Sequence, residues 1–203
     1  MADVTELQET VEIKIGDQSY HLPVVTGSYD EKGIDISKLR GQTKYVTLDP
    51  GYKNTGATKS SITYNDGENG LLLHRGYPIE LLAEKAEFLE VCYLLFHEDL
   101  PTKAQLDEFK ANIKANTGLP DAVQTILDAL PDETHPMGML STVLSSLSGF
   151  FPGSLDSWSD EEVKWKSIYR LLGNMPVLAA YIYRRQKKLP YIAPDPSKSY
   201  VAN

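Results

Sequence analysis

The chain has 203 residues, of which 41% are hydrophobic and 24% are charged, and its formal net charge is −8 at pH 7. A chain of this length can bury a full hydrophobic core, in one large domain or two small ones. The negative charge argues against a nucleic-acid partner, which would need a basic surface. The single cysteine excludes an internal disulfide and is typical of a reducing compartment, so we expect a cytoplasmic protein.

The first residues are acidic and contain no apolar run, so they resemble neither a secretory signal nor a mitochondrial presequence. No stretch approaches the roughly 20 consecutive apolar residues that are needed to span a bilayer. We therefore expect no membrane partner.

Residues 1–76 are predicted to be β-rich. Residues 11–15 alternate apolar and polar side chains, and Gly16-Asp17 then supplies a turn before a second strand, so a hairpin is expected. Residues 33–36 and 44–48 are expected to add further strands. A second hairpin is predicted around Asp66-Gly67, where Gly67 would adopt a positive φ.

After Pro78 the period of the apolar residues becomes helical. Residues 84–97 predict one well-buried helix. Thr102, followed by Gln105, has the pattern of a capping box for the next helix. Asp121 is expected to cap the helix after that one.

Three more helices are predicted toward the C-terminus. The first covers residues 135–151 and mixes large apolar side chains with glycines and serines, which would let a second helix approach closely. Its large apolar residues are Met137, Leu140, Val143, Leu144 and Leu147. The second helix would begin at a capping Ser159 and end at Gly173, and the third would begin with Pro176 as its first residue. A proline-rich connector follows.

The chemistry-bearing residues do not identify a reaction by themselves. We interpret His135, which precedes Pro136, as a capping or packing residue rather than a catalytic one, because no nucleophile or carboxylate partner is visible near it. His74 and Arg75 are interpreted as a structural turn with an ion-paired arginine. Cys92 lies among apolar residues and is predicted to be inert. No spacing predicts a metal site, and no phosphate-binding loop is present.

Five motifs together resemble the N-terminal half of citrate synthases of the bacterial type II. They are LDPGY at 48–52, the hairpin SITYNDGENGLLLHRGYPIE at 61–80, FLEVCYLL at 88–95, HPM at 135–137 and NMP at 174–176. The resemblance extends from about residue 45 to residue 203. It implies a mainly α fold, with a small antiparallel β-rich region at residues 1–76 before a truncated multi-helical part of the large domain at residues 77–203.

The resemblance also implies an activity for the parent protein. Citrate synthases are acyltransferases of the tricarboxylic acid cycle that condense acetyl-CoA with oxaloacetate to citrate and CoA, without a metal or a cofactor. The family's catalytic histidines and aspartate lie in the second half of the polypeptide, so no catalytic residue is expected in this chain, which would be inactive alone. The parent is expected to form a homodimer or hexamer through large-domain helices, with residues 135–151 as the candidate interface.

Two alternatives remain open at this stage. One is a fragment of a 2-methylcitrate synthase, which uses propionyl-CoA on the same framework. The other is a non-catalytic helical interaction module that closes its own core.

An allosteric site is also implied by the resemblance. Gram-negative hexameric citrate synthases bind the inhibitor NADH through an Arg-His-Thr run, a tyrosine, an arginine and a lysine. When the flanking motifs are aligned, the Arg-His-Thr run falls on Ala115-Asn116-Thr117. The tyrosine falls on Phe151, the arginine on Arg170 and the lysine on Asn174. Thr117 and Arg170 are retained and are therefore the candidate nucleotide-binding residues. The loss of the other cationic groups predicts weak or absent NADH inhibition.

Overall fold

The computed structural model describes residues 9–151, 153 and 159–203. The chain divides into two compact units, Met1–Ser60 and Ser61–Asn203.

The first unit is built on a three-stranded antiparallel sheet. Its strands are β1 (Thr10–Ile15), β2 (Gln18–Thr26) and β3 (Lys32–Ile34), in the order β1-β2-β3, and a short helix α1 (Leu39–Thr43) follows. The predicted hairpin is confirmed, with Ile15 opposite Gln18 across a turn in which Gly16 has a φ of 61°. Leu22 and Val24 on β2 are buried.

The strand predicted at residues 44–48 is wrong. Lys44 ends α1 in the left-handed conformation with a φ of 67°, and its amide bonds to the carbonyl of Arg40. Residues 45–48 form no strand, and the side chains of Tyr45, Val46 and Leu48 are exposed. Apolar alternation makes a strand only where a neighbouring edge offers hydrogen bonds.

The second unit begins with another antiparallel sheet. Its strands are β4 (Thr63–Asp66), β5 (Leu71–His74) and β6 (Tyr77–Pro78). The predicted hairpin is confirmed, but the positive φ expected at Gly67 falls on Gly70, at 67°. The Asp66 carboxylate shapes the turn by accepting hydrogen bonds from the amides of Glu68 and Asn69.

Six helices complete the described part of the second unit and confirm the mainly α fold. They are α2 (Ile79–Lys85), α3 (Phe88–His97), α4 (Lys103–Ala115), α5 (Asp121–Ala129), α6 (Pro136–Phe150) and α7 (Glu161–Gln186). One buried cluster joins α5, α6 and α7, and a second joins α3 and α4 to α7. On α6, Met139 is fully buried, whereas Met137 is 63% exposed. Within the described ranges, no helix combines the length and apolar character that a bilayer crossing requires.

The helix starts show where local sequence signals succeed. The capping box at Thr102 is confirmed, because the Gln105 amide donates to the Thr102 hydroxyl at 3.4 Å and the Gln105 side chain accepts from the Thr102 amide at 2.8 Å. The capping role of His135 is confirmed as well, since its Nδ1 accepts from the Met137 amide at 3.2 Å.

Three predicted helix boundaries are wrong. The single helix at residues 84–97 is in fact α2 and α3, which are separated at Ala86, and the Glu90 carboxylate accepts from the Glu87 amide at the start of α3. Asp121 is the first residue of α5 rather than its cap. Asp160, not Ser159, caps α7, because its carboxylate accepts two backbone amides, at 2.9 and 3.1 Å.

Helix α7 also crosses the predicted break between Gly173 and Pro176 and runs unbroken for 26 residues. A proline lacks the amide that would bond to the carbonyl four residues earlier, so Pro176 leaves the Leu172 carbonyl without its helical donor. The Tyr200 hydroxyl takes this place and donates to the Leu172 oxygen at 2.8 Å. A side chain from the C-terminal segment therefore satisfies the carbonyl that Pro176 leaves unpaired.

Replacement of Tyr200 by phenylalanine is expected to lower the free energy of unfolding by about 1–2 kcal/mol, because a part-buried carbonyl loses its donor. The phenyl ring keeps the stack on Phe88, in which the ring centroids are 5.5 Å apart. Urea unfolding of the 203-residue chain, followed by circular dichroism, measures the change.

The matched control is the same substitution in a Pro176→Ala background, where the alanine amide can donate to the Leu172 carbonyl. The cost of Tyr200→Phe should then shrink in a double-mutant cycle. An equal cost in both backgrounds would show that the hydroxyl does not compensate for the proline.

Two arginines fix helix C-termini. Arg75, whose φ is 50°, donates from Nη2 to the Leu95 carbonyl near the end of α3, at 2.8 Å, and from Nη1 to the Ser61 hydroxyl at 2.7 Å. Arg185 donates to the Leu130 carbonyl at the end of α5. Both guanidinium groups are mostly buried and add positive charge at the negative end of a helix. The interpretation of His74-Arg75 as a structural turn is thereby confirmed.

Candidate functional site

The residues aligned with the allosteric site come together where the C-terminus of α4 meets the middle of α7. Asn174 lies at the centre and is 1% exposed. Its side-chain oxygen accepts from the Gly118 amide at 2.9 Å, and its side-chain nitrogen donates to the carbonyls of Asn116 and Arg170, at 3.1 and 2.9 Å. The carboxamide therefore ties the loop after α4 to α7.

The two candidate nucleotide-binding residues are engaged within the protein. The guanidinium carbon of Arg170 lies 3.6 Å from the centroid of the Phe151 ring, which is a close cation–π contact. Burial lowers the pKa of Arg170 from its usual value, although an arginine remains charged near neutral pH. The Thr117 hydroxyl donates to the Ile113 carbonyl at 2.9 Å.

Thr117 also lies against α7 at Gly173. A Cβ at Gly173 would sit 2.4 Å from the Thr117 Oγ1 and 3.0 Å from the Ile113 oxygen. Only a glycine lets α4 and α7 approach this closely. The sequence predicts that a helix ends at Gly173, whereas this glycine lies within α7 at a contact with α4.

A groove of about 1020 Å³ opens beside this contact. It lies between α3, α4, α7 and residues 192–203. Its lining combines an apolar floor with cationic side chains, those of Lys110, Lys114, Arg184 and Lys198. The spacing of Lys110 and Lys114 places both on one face of α4, which is the only signal of the groove that the sequence carries.

Acidic groups in the groove offset part of this positive charge. Lys110 bonds to the Glu87 carboxylate at 2.5 Å, and Lys198 lies 3.9 Å from the Asp195 carboxylate. The C-terminal segment forms a turn next to these ion pairs. The Asn203 side chain accepts a hydrogen bond from the Asp195 amide at 2.9 Å and donates one to the Asp195 carbonyl at 3.0 Å.

The four histidines lie on separate elements. His21 is exposed on β2, His74 lies 3.4 Å from the Thr63 hydroxyl, His97 stacks on aromatic rings, and His135 caps α6. Among the described residues, no three metal-ligating side chains cluster.

Cys92 is half-buried on α3, and burial raises the pKa of its thiol. The thiol therefore stays protonated near neutral pH, which makes it a poor nucleophile.

Comparison with known proteins places these features in a family. The family model "Citrate synthase, C-terminal domain" matches residues 51–203. Citrate synthase 1 of Mycobacterium tuberculosis is 38% identical over 200 residues, which cover 98% of this chain and 46% of that protein. The crystal structure of citrate synthase from Thermotoga maritima MSB8 matches with a TM-score of 0.64 and 34% identity, over 76% of this chain and 39% of that one.

The structure of citrate synthase from Pyrobaculum aerophilum shares the fold, with a TM-score of 0.68 and 24% identity over 97% of this chain and 45% of that one. The chain thus spans less than half the length of these relatives. Because the family model matches most of its residues, the chain belongs to the citrate synthase family.

Proposed function

We propose that the protein carrying this chain condenses acetyl-CoA with oxaloacetate to give citrate and CoA. The observation that carries the proposal is the match of residues 51–203 to the citrate synthase family model. The reaction needs a base that removes a proton from the acetyl methyl group, attack of the resulting enol on the ketone of oxaloacetate, and hydrolysis of citryl-CoA by water. Acid–base side chains suffice for these steps, so the proposal includes neither a metal nor a cofactor. It places the protein in the cytoplasm, on the basis of the single cysteine.

We propose further that these 203 residues act as scaffold and do not catalyse alone. The relative from Mycobacterium tuberculosis is about twice as long as the matched region. The histidines of this chain are already engaged as a helix cap and in a ring stack, or lie apart on strands. The proton transfers are therefore assigned to the part of the fold that lies outside the match.

A thiol-release assay with acetyl-CoA and oxaloacetate tests both statements. The 203-residue chain alone should release no CoA above the rate without protein. Co-expression with the remaining part of Mycobacterium tuberculosis citrate synthase 1 should produce release that depends on both parts. Turnover by the chain alone would refute the scaffold role.

The proposal for regulation is that NADH binds this protein weakly or not at all. Arg170 is held on the Phe151 ring, Asn174 has no free polar atom, and Thr117 donates to a backbone carbonyl. A nucleotide phosphate would have to displace the cation–π contact, and it would find no lysine at position 174.

Isothermal titration of the 203-residue chain with NADH at physiological salt should show no saturable binding in the low micromolar range. The double variant Ala115→Arg and Phe151→Tyr adds back two of the groups implied by the resemblance, at positions outside the buried Asn174 contact, and serves as the comparison. Low-micromolar binding by the unmodified chain would contradict this prediction.

We also propose that a second copy of the chain packs on α6 and α7. Most exposed positions of α6 carry small side chains, those of Gly138, Ser141, Thr142, Ser145, Ser148 and Gly149, and the larger Met137 and Phe150 are exposed as well. On α7, Leu171, Met175 and Tyr183 are exposed on one ridge with spacings of four and eight residues. A small-residue face admits close helix contact, and an apolar ridge gains free energy when it is buried.

Substitution of Ser145 by arginine should therefore shift the chain toward the monomer in sedimentation equilibrium. The matched control is Ala111→Arg on the exposed face of α4, which adds the same side chain away from α6 and α7. Unchanged association in the Ser145 variant would rule out α6 as the interface.

A further inference from the structure

The end of α3 is joined to α7 by a stack of three rings. The imidazole of His97 lies parallel to the indole of Trp165, with centroids 4.6 Å apart and planes 4° apart, and it lies on Tyr93 at 4.0 Å. Two rings stacked on one imidazole must cover its opposite faces. The Phe109 ring of α4 packs against the imidazole in a T-shaped arrangement, with the two ring centroids 6.3 Å apart. The residue is nevertheless solvent-exposed in part, so protons can reach it.

We propose that the Tyr93–His97–Trp165 stack is a pH-sensitive contact between α3 and α7, intact while His97 is neutral and weakened when His97 is protonated. An imidazolium needs hydration that two covering rings deny to both of its faces. The stack would thus couple the packing of these helices to pH in the range where histidine titrates.

Charged and titratable groups lie around His97. A small cavity of about 130 Å³ beside the ring is lined by the titratable groups Tyr93 on α3, Glu108 on α4 and Tyr169 on α7. The Glu108 carboxylate and the C-terminal end of α3 favour the imidazolium, as does cation–π attraction to Trp165.

Burial lowers the pKa of His97 below its usual 6.5. The unfolded chain then binds the proton more readily than the folded chain does. The stabilisation is therefore complete above pH 6.5 and is lost as the pH falls through the folded pKa.

The test uses the 203-residue chain with Trp158→Phe, which leaves Trp165 as the only one of its two tryptophans. Because an imidazolium quenches a neighbouring indole, the fluorescence should fall in one step with a midpoint below pH 6.5 as the solution is acidified. His97→Phe keeps a stacked ring but cannot titrate, so it should abolish the step, and His97→Gln should abolish it as well.

Thermal unfolding of the same proteins tests whether the contact weakens. The midpoint of the His97 protein should fall relative to that of the His97→Phe variant as the pH is lowered through this range. A fluorescence midpoint at or above 6.5 would mean that cation–π attraction prevails, and it would overturn the proposal. The same step in both His97 variants, or a thermal difference that does not change with pH, would overturn it too.

Discussion

Replacement of Asn174 by alanine is expected to reduce the free energy of unfolding of the second unit by about 3 kcal/mol. The carboxamide makes three hydrogen bonds at a position that is 1% exposed. Its removal leaves the Gly118 amide and the Asn116 carbonyl without this partner at a part-buried contact. Urea unfolding monitored by circular dichroism measures the loss.

Gln186→Ala is the matched control, because it truncates a similar polar side chain at an exposed position of the same helix. It should change the stability by no more than about 0.5 kcal/mol. Asn174→Asp keeps an acceptor for Gly118 but loses the donor, so we expect it to be destabilising too. A loss below about 1 kcal/mol for Asn174→Ala would show that the loop after α4 does not depend on this side chain.

Substitution of Gly173 by alanine should destabilise the chain by about 1–3 kcal/mol, the usual cost of forcing an added group into a packed contact. The new Cβ would lie 2.4 Å from the Thr117 Oγ1, so α4 and α7 would have to separate. The helical preference of alanine offsets only about 1 kcal/mol of the strain. The change in denaturation midpoint measures the balance.

Gly149→Ala provides a control of opposite sign. This glycine lies on the exposed face of α6 with no atom within 4 Å of an added Cβ, so alanine should stabilise the chain by about 0.5–1 kcal/mol. Thr117→Ala removes the hydroxyl from the Gly173 contact and should relieve part of the cost in the double variant. Stabilisation by Gly173→Ala would show that the two helices are not held in close contact.

Local signals predicted the elements that local interactions determine. The hairpin around Gly16 and the capping box at Thr102 depend on residues close in the sequence, and both predictions are confirmed. The start of α7 was misplaced by one residue, since Ser159 and Asp160 are both good caps and only the geometry selects between them.

The continuity of α7 could not be predicted in this way. Gly173 and Pro176 are both unfavourable in helices by propensity. Gly173 packs against Thr117, 56 residues earlier, and the hydrogen bond that Pro176 cannot make is replaced by one from Tyr200, 24 residues later. Tertiary contacts override propensity at both positions.

The candidate site was predicted only in part. The resemblance located Thr117 and Arg170, and their nucleotide-binding role stays a prediction. The stack of Arg170 on Phe151 and the burial of Asn174 depend on side-chain packing, which no sequence spacing reveals. The groove is formed by residues from three helices and the C-terminal segment, so its lining has no continuous sequence signature.

The bond from Tyr200 to the middle of α7 has a consequence for proteolysis. Residues 189–203 form no helix or strand, yet Tyr200 is anchored to the Leu172 carbonyl and to the Phe88 ring. Lys198 lies two residues before this anchor and is a trypsin site, and a protease must draw several residues on either side of a bond into its cleft. Cleavage after Lys198 therefore requires the Tyr200 side chain to detach from α7. The rate of cleavage reports how often the hydrogen bond to the Leu172 carbonyl is broken.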